Sequence, residues 1–269
     1  MACPLQAIVI MTTVATRSRT TGNGNAARPG KLLRNPDPEK RPRIAVYLPK
    51  RLTSVEIREL EQLARNAGES GECKNVLVLA ATEQPAGLTR LPGLDFVTVP
   101  TLQSCSGAAK SPANVSQRDR RTLDVRSNVL AAALEAYHPD ILIVSRLPRG
   151  LGDELLPSLA SLRVDTNVHC VLELNVEHDE PHALQREWHD FAYASVLESL
   201  YDSVWVRSSD PHSFATLVKT LPGLSTRALM VPAASSDGIG GSQLVARIRG
   251  WLSSAECDAE GLRLDPAIV

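Results

Sequence analysis

The sequence contains no run of about 18 consecutive apolar residues, and the longest apolar stretch near its start, Ala7 to Met11, is too short for a secretory signal or a membrane span. A cytoplasmic chain without stable membrane insertion is expected. There is no CxxC: the five cysteines (Cys3, Cys73, Cys105, Cys170, Cys257) are odd in number and widely spaced, which argues against a disulfide framework and a zinc site and for free thiols in a reducing compartment. GxSxG, a kinase motif set and a catalytic Cys/His motif are all missing. GxGxxG is also missing from the turn Pro49-Lys-Arg-Leu-Thr-Ser54, so backbone there cannot approach a pyrophosphate as a dinucleotide site requires. No cofactor and no metal are expected.

Excess charge of either sign is lacking too, since the net charge is only −1, but its distribution is uneven. Residues 1–43 carry eight Lys/Arg and two Asp/Glu, a balance of +6, and the remaining 21 basic and 28 acidic residues give −7. An acidic-leaning body does not resemble a nucleic-acid surface, whose footprint is a basic patch. The stretch from Met11 to Arg43 is rich in Thr, Asn, Gly, Pro and Arg without apolar periodicity, so nothing in it offsets the entropy of ordering, and 1–42 is expected to be a disordered basic leader. Its Arg and Ser/Thr content gives a weak likeness to a transit peptide, without an amphipathic face, and Met11 offers an alternative start.

What the chain does have, with 43% hydrophobic residues, is a series of short apolar runs separated by helical patterns. Strands are predicted at 44–48, 76–80, 96–99, 140–144, 168–174 and 203–207, continuous apolar runs of the kind buried on both faces. Helices are predicted at 55–66, capped by Thr53 or Ser54 and presenting Val55, Leu60, Leu63 and Ala64, and at 118–137, 151–162 and 184–201. Thr101 to Gln117 is a polar loop longer than a routine turn. Alternating apolar strands and amphipathic helices define an α/β fold with a doubly wound parallel sheet, in which ligands bind at the carboxyl ends of strands. The loops that matter are therefore those after Leu48, Val99, Val144, Leu174 and Arg207.

Lys50 and Arg51 stand where an anion could meet a helix N-terminus, or else are solvated loop charges. Ser145-Arg-Leu-Pro-Arg-Gly150 brings Arg146 and Arg149 to a strand end, suited to a phosphate or carboxylate unless Arg149 pairs with Asp153 or Glu154. Glu177-His-Asp-Glu-Pro-His182, followed by Glu187 and His189, is the densest group of ligand-type side chains. Its spacing matches neither HExxH nor a two-His helix face, so general acid or base work by His178 or Glu180 is a better reading than a metal.

Three segments in order resemble a bacterial family of predicted GT-B glycosyltransferases related to MurG-like enzymes. They are Leu94 to Leu102; Tyr137-His-Pro-Asp-Ile-Leu-Ile-Val-Ser-Arg-Leu-Pro-Arg-Gly150 with Glu154-Leu-Leu-Pro157; and Val171-Leu-Glu-Leu-Asn-Val-Glu-His-Asp-Glu-Pro181 with Glu187-Trp188 and Tyr201-Asp-Ser-Val-Trp-Val206. The family's Gly-Ile-Gly-His element is absent from Pro49–Ser54, its Arg-Asp pair falls on Asn175-Val176, and Arg149 stands where Phe is usual. The resemblance implies a Rossmann-like, GT-B N-terminal-type domain over 43–226. It also implies a vestigial donor-domain βα unit and tail over 227–269, with the strand from Ala228 and a glycine loop at Ser236, Gly238 and Gly241. Strand-end position and the resembling segments together give His178 and Glu180 as candidate catalytic positions and Lys50, Arg146, Arg149, Asn175, Asp179 and Ser208 as candidate ligand-binding ones.

Two functions follow. One is the acceptor-side domain for hexosyl or N-acetylhexosaminyl transfer from a nucleotide sugar, incomplete without a separate donor-domain chain or a second copy of itself. The other is a non-catalytic binding or regulatory module of the same descent, which the lost Gly-His loop favours. An enzyme of another doubly wound family is a third, carried by fold analogy alone.

Overall fold

A computed structural model describes residues 42–69, 75–85, 88, 91–102, 116–165, 168–176, 181–190, 193–225 and 228–231. Among the described residues, seven strands form one sheet: β1 Arg43–Leu48, β2 Asn75–Ala80, β3 Leu94–Thr98, β4 Ile141–Ser145, β5 His169–Asn175, β6 Ser203–Arg207 and β7 Ala228–Val231. Every pairing is parallel, in the order β3-β2-β1-β4-β5-β6-β7. The chain therefore winds outward from β1 in one direction, crosses back, and winds outward from β4 in the other. The α/β doubly wound expectation holds. A parallel sheet needs apolar residues on both strand faces, and Ile44, Ala45, Val46 and Tyr47 or Ile141, Leu142, Ile143 and Val144 supply them with almost no exposure.

The two faces are covered differently. On one, helix α1 (Ser54–Glu69) buries Leu60 and Leu63 against Ile44, Val46, Val78 and Ile143. On the other pack α2 (Gln117–Tyr137), α3 (Leu156–Asp165), α4 (Pro181–Asp190), α5 (Tyr193–Leu200) and α6 (Pro211–Thr220). Right-handed crossovers require this division, because a return from β3 to β4 reverses the direction of winding and so changes the face on which the helix lies.

Local chemistry sets the helix ends. Thr53 and Glu56 form a capping box at α1: the Thr53 N–H donates to Glu56 Oε2 at 2.7 Å and the Glu56 N–H donates to Thr53 Oγ1 at 3.2 Å. Ser116 caps α2 by accepting from the Asp119 N–H at 3.1 Å. Two helix expectations change. The helix expected from 151 begins only at Leu156, because Gly150 (φ 81°) and Asp153 (φ 69°) hold 150–155 as a turn with left-handed residues. The single helix expected over 184–201 is two, α4 and α5, locked by an edge-to-face contact between Trp188 and Tyr193 at 5.6 Å and 86°. Helix α6 was not expected, although Asp210 followed by Pro211 is a cap with a first-turn proline.

Strand β7 pairs in parallel with β6 through Val204–Ala228 to Arg207–Val231, so the part of 227–269 that is described extends this same sheet. The leader, most of the 101–117 loop and the positions Ser236 and Gly238 lie outside the described residues. Among the described residues, no helix is long and apolar enough to cross a membrane.

Candidate functional site

The point where the winding reverses lies between β1 and β4, and the loops leaving their carboxyl ends diverge there to leave a cleft. The cavity at this position has a volume of about 310 Å³, the small end of the range for ligand pockets. Val46, Leu48, Leu60, Leu63 and Ile143 give it an apolar wall, and Lys50, Glu59, Arg146, Glu173, Asn175 and Arg207 supply the charged and polar groups. Three of the ligand positions expected from sequence, Lys50, Arg146 and Asn175, thus come together from the ends of β1, β4 and β5.

The segment after β4 carries the strain. Arg146 has φ 62°, a left-handed conformation that costs a side-chain-bearing residue about 1 kcal/mol or more and persists where surroundings enforce it. They do: the Arg146 N–H continues the ladder to the Glu173 carbonyl at 2.7 Å, and its Nη2 reaches Glu187 Oε2 at 3.4 Å. Arg149 lies a turn further on with Nη2 at 2.6 Å from Asp153 Oδ2, the pairing weighed against an anion site. Burial pushes the Asp153 carboxyl above its ordinary value, and Arg149 opposes that rise. Ser208 is buried just beyond β6, where its hydroxyl donates to the Asp210 carbonyl at 2.7 Å and accepts from the Asp210 N–H at 3.1 Å. That use of the hydroxyl shapes the turn into α6. His178, Asp179 and Glu180 lie outside the described residues.

Two ionic assemblies that sequence reasoning passed over complete the region. In the cavity, Arg207 bridges Glu59 of α1 and Glu173 of β5, through Nη1 and Nε respectively. Burial raises the Glu59 carboxyl above its ordinary value, with Arg207 opposing and Glu173 adding to the rise. Burial works against the Arg207 charge, but Glu173 and Glu59 outweigh it and hold the guanidinium protonated.

The second assembly is closed. Arg126 of α2 and Glu154 have no exposed side-chain surface and meet at 3.0 Å, and the Tyr47 hydroxyl donates to Glu154 Oε1 at 2.6 Å while accepting from Arg126 Nη2 at 2.8 Å. Arg126 also donates to the carbonyls of Pro49 at 3.1 Å and Pro100 at 2.7 Å, and Glu154 Oε2 accepts from the Gly152 N–H at 2.8 Å. One guanidinium and one carboxylate therefore fasten the loops after β1, β3 and β4, the loops that frame the cleft. Burial, with Glu154 adding to it, pushes the Tyr47 phenol well above its ordinary value, so the hydroxyl stays a donor.

Among the described residues, no group of three or more His, Cys, Asp or Glu side chains could hold a metal ion.

A parallel sheet in this order, with its cleft at the reversal of winding, defines a Rossmann-like α/β domain. No protein-family model matches the chain, and no curated protein matches it. Solved structures similar to it include the Glycyrrhiza uralensis protein UGT73P12 complexed with glycyrrhetinic acid 3-O-monoglucuronide, at 11% identity and TM-score 0.42 over 80% of this chain and 55% of that one. CetZ2 from Haloferax volcanii, in a GTPγS-bound protofilament, is similar at 11% identity and TM-score 0.41 over 82% of this chain and 60% of that one. The spinosyn rhamnosyltransferase SpnG complexed with thymidine diphosphate is similar at 14% identity and TM-score 0.33, over 61% of this chain and 44% of that one. The chain thus spans between 44% and 60% of the length of these structures. A rhamnosyltransferase and a GTPγS-bound protofilament stand together among them, so the likeness assigns no activity to this chain.

Proposed function

We propose that this chain is a glycosyltransferase-like protein that supplies the acceptor-side domain for transfer from a nucleotide-activated sugar, and that it needs a separate donor-side chain or a second copy of itself for turnover. The observation that carries the proposal is the cleft between β1 and β4, where Lys50, Arg146 and Asn175 converge and Arg146 is held in a left-handed conformation. Segments that resemble the glycosyltransferase family in sequence thereby fall at the carboxyl ends of β4 and β5, where this class of fold binds ligands. On this reading, Arg146 and Asn175 orient the acceptor. His178 or Glu180, in the sequence segment that follows β5 and also contains Asp179, takes the acceptor proton, with Arg149 after β4 and Ser208 after β6 as further ligand-binding positions.

Transfer requires donor and acceptor to be held in contact, and on this reading the seven-stranded sheet holds the acceptor while the donor is oriented by the separate chain or second copy. Calorimetric titration of the purified full chain with UDP-GlcNAc, together with a radiolabel transfer assay to a glycan mixture, tests it. Weak or absent UDP-GlcNAc binding and no turnover by the chain alone are expected, whereas micromolar binding or repeated turnover would overturn the need for a donor partner. Saturation-transfer NMR against the same glycans tests the acceptor role. Asn175→Ala should lose whatever signal the wild-type chain gives, and a signal unchanged by it would place acceptor binding elsewhere.

A further inference from the structure

We infer that the β1–β4 cavity selects a ligand with an apolar body and an uncharged hydroxyl-bearing head, and that the Glu59–Arg207–Glu173 bridge is the element that excludes phosphate and other anions from it. The inference rests on the acceptor-side reading above and specifies the acceptor's chemistry.

The cavity's charges are balanced within themselves. Its lining has three cations, Lys50, Arg146 and Arg207, and three carboxylates, Glu56, Glu59 and Glu173, so no net field draws a charged ligand in. The cations are moreover committed. Arg207 is bridged by two carboxylates, Arg146 lies against Glu187 and Lys50 also interacts with a neighbour. A phosphate approaching Arg207 would meet two carboxylates already on it, and displacing either would leave that carboxylate partly buried beside a second negative charge. Glu56 is occupied in capping α1.

A hydroxyl has the opposite fate. Glu59 and Glu173 each meet Arg207 through Oε1, and a carboxylate carries lone pairs on both oxygens, so each has the capacity to accept from an alcohol as well. Asn175, at the end of the same strand as Glu173, adds an amide that can both donate and accept. Hydrogen bonds from neutral donors to a carboxylate are charge-assisted and so repay part of the desolvation of both groups. The five aliphatic side chains Val46, Leu48, Leu60, Leu63 and Ile143 of the same lining offer no polar partner, so the rest of the ligand must be apolar. At about 310 Å³ the space suits one ring or a short chain rather than a whole nucleotide sugar.

The test compares three probes on the full chain: n-octyl β-D-glucopyranoside below its micellar concentration, n-octyl phosphate at the same concentrations, and inorganic pyrophosphate. The glucoside should bind saturably and more tightly than the phosphate, and pyrophosphate should not compete with it. In Glu173→Gln, one counter-charge of Arg207 is removed while shape is kept, so the glucoside-to-phosphate affinity ratio should fall about tenfold. Glu59→Gln should move the ratio in the same direction and serves if Glu173→Gln does not fold by near-ultraviolet circular dichroism. An octyl phosphate that binds the wild-type chain at least as well as the glucoside, a ratio unmoved in the folded variant, or no saturable binding of the glucoside would each overturn the inference. None of these readouts involves UDP-GlcNAc or transfer, so failure here is distinguishable from failure of the acceptor-side reading.

Discussion

The closed assembly of Arg126, Glu154 and Tyr47 and the open one of Glu59, Arg207 and Glu173 are built from almost the same groups at the same end of the sheet, on opposite faces. In the closed one, neither Arg126 nor Glu154 has exposed side-chain surface, and the remaining donors and acceptors are met by the carbonyls of Pro49 and Pro100, the Gly152 N–H and the Tyr47 hydroxyl. In the open one, Glu59 keeps 23% of its side-chain surface exposed and the groups line a cavity. A buried ion pair is neutral or costly for stability unless its other hydrogen bonds are satisfied, so the closed assembly can act as a loop fastener. The open assembly retains acceptor atoms for something else.

The largest effect should come from breaking the closed assembly on one side. Arg126→Met leaves Glu154 buried without its cation, which costs about 3–5 kcal/mol. The double variant Arg126→Met with Glu154→Leu removes both charges and should recover most of that loss. Urea unfolding monitored by circular dichroism measures both, and a single variant as stable as wild type would show that the Arg126–Glu154 pair does not fasten the loops.

A smaller loss is expected where backbone and ion pair meet. Gly150 has φ 81°, and a Cβ there would lie 2.6 Å from the Glu154 carboxyl, a side chain fixed by Tyr47 and Arg126. Gly150→Ala should therefore cost about 1–3 kcal/mol from backbone conformation and displacement of Glu154 together. If the loss disappears in a Glu154→Ala background, where the carboxyl that the Cβ would meet is gone, displacement of Glu154 carries it; if it persists undiminished, backbone conformation does.

Most of the fold was legible because its strands are unbroken apolar runs. The expected strands at 44–48, 76–80 and 203–207 differ from β1, β2 and β6 by at most one residue at an end, and Ala228 was recognised as opening a strand although its place beside β6 was not. Helix boundaries were less legible where a turn depends on tertiary contact. Nothing local announces that Asp153 adopts φ 69°, because its neighbour Glu154 turns inward to meet Tyr47 and Arg126, which are remote in sequence. That Lys50, Arg146 and Asn175 line one cavity was legible because each stands just past the end of an expected strand. Glu173, Arg207 and Arg126 were missed for a common reason: each lies inside an apolar pattern whose charged exceptions acquire meaning only with the register. Arg126 falls on the stripe of Leu123, Leu130 and Leu134 along α2, and that placement was the available signal.

The smallest effect distinguishes the open assembly by its response to pH. Burial, opposed by Arg207, raises the Glu59 carboxyl above its ordinary value of 4.5, so the folded chain holds this proton more tightly than the unfolded one. For a raised carboxyl the sign is fixed. The stabilisation is fully present below the unfolded value and is lost as pH rises through the folded one, because the unfolded state then binds fewer protons. Glu59 should thus subtract stability as pH climbs from about 4.5 through its raised value, and Glu59→Gln should abolish that decline. The contribution is less than one proton and is reduced further by solvent, since part of the side chain is exposed, so it must be read as a difference between wild-type and variant slopes in parallel melts. In Arg126→Met with Glu154→Leu the same slope should remain, because the closed assembly lies on the other face of the sheet. A wild-type slope that Glu59→Gln leaves untouched, or one that vanishes with the closed assembly, would mean that the two assemblies are not the separate devices their surroundings indicate.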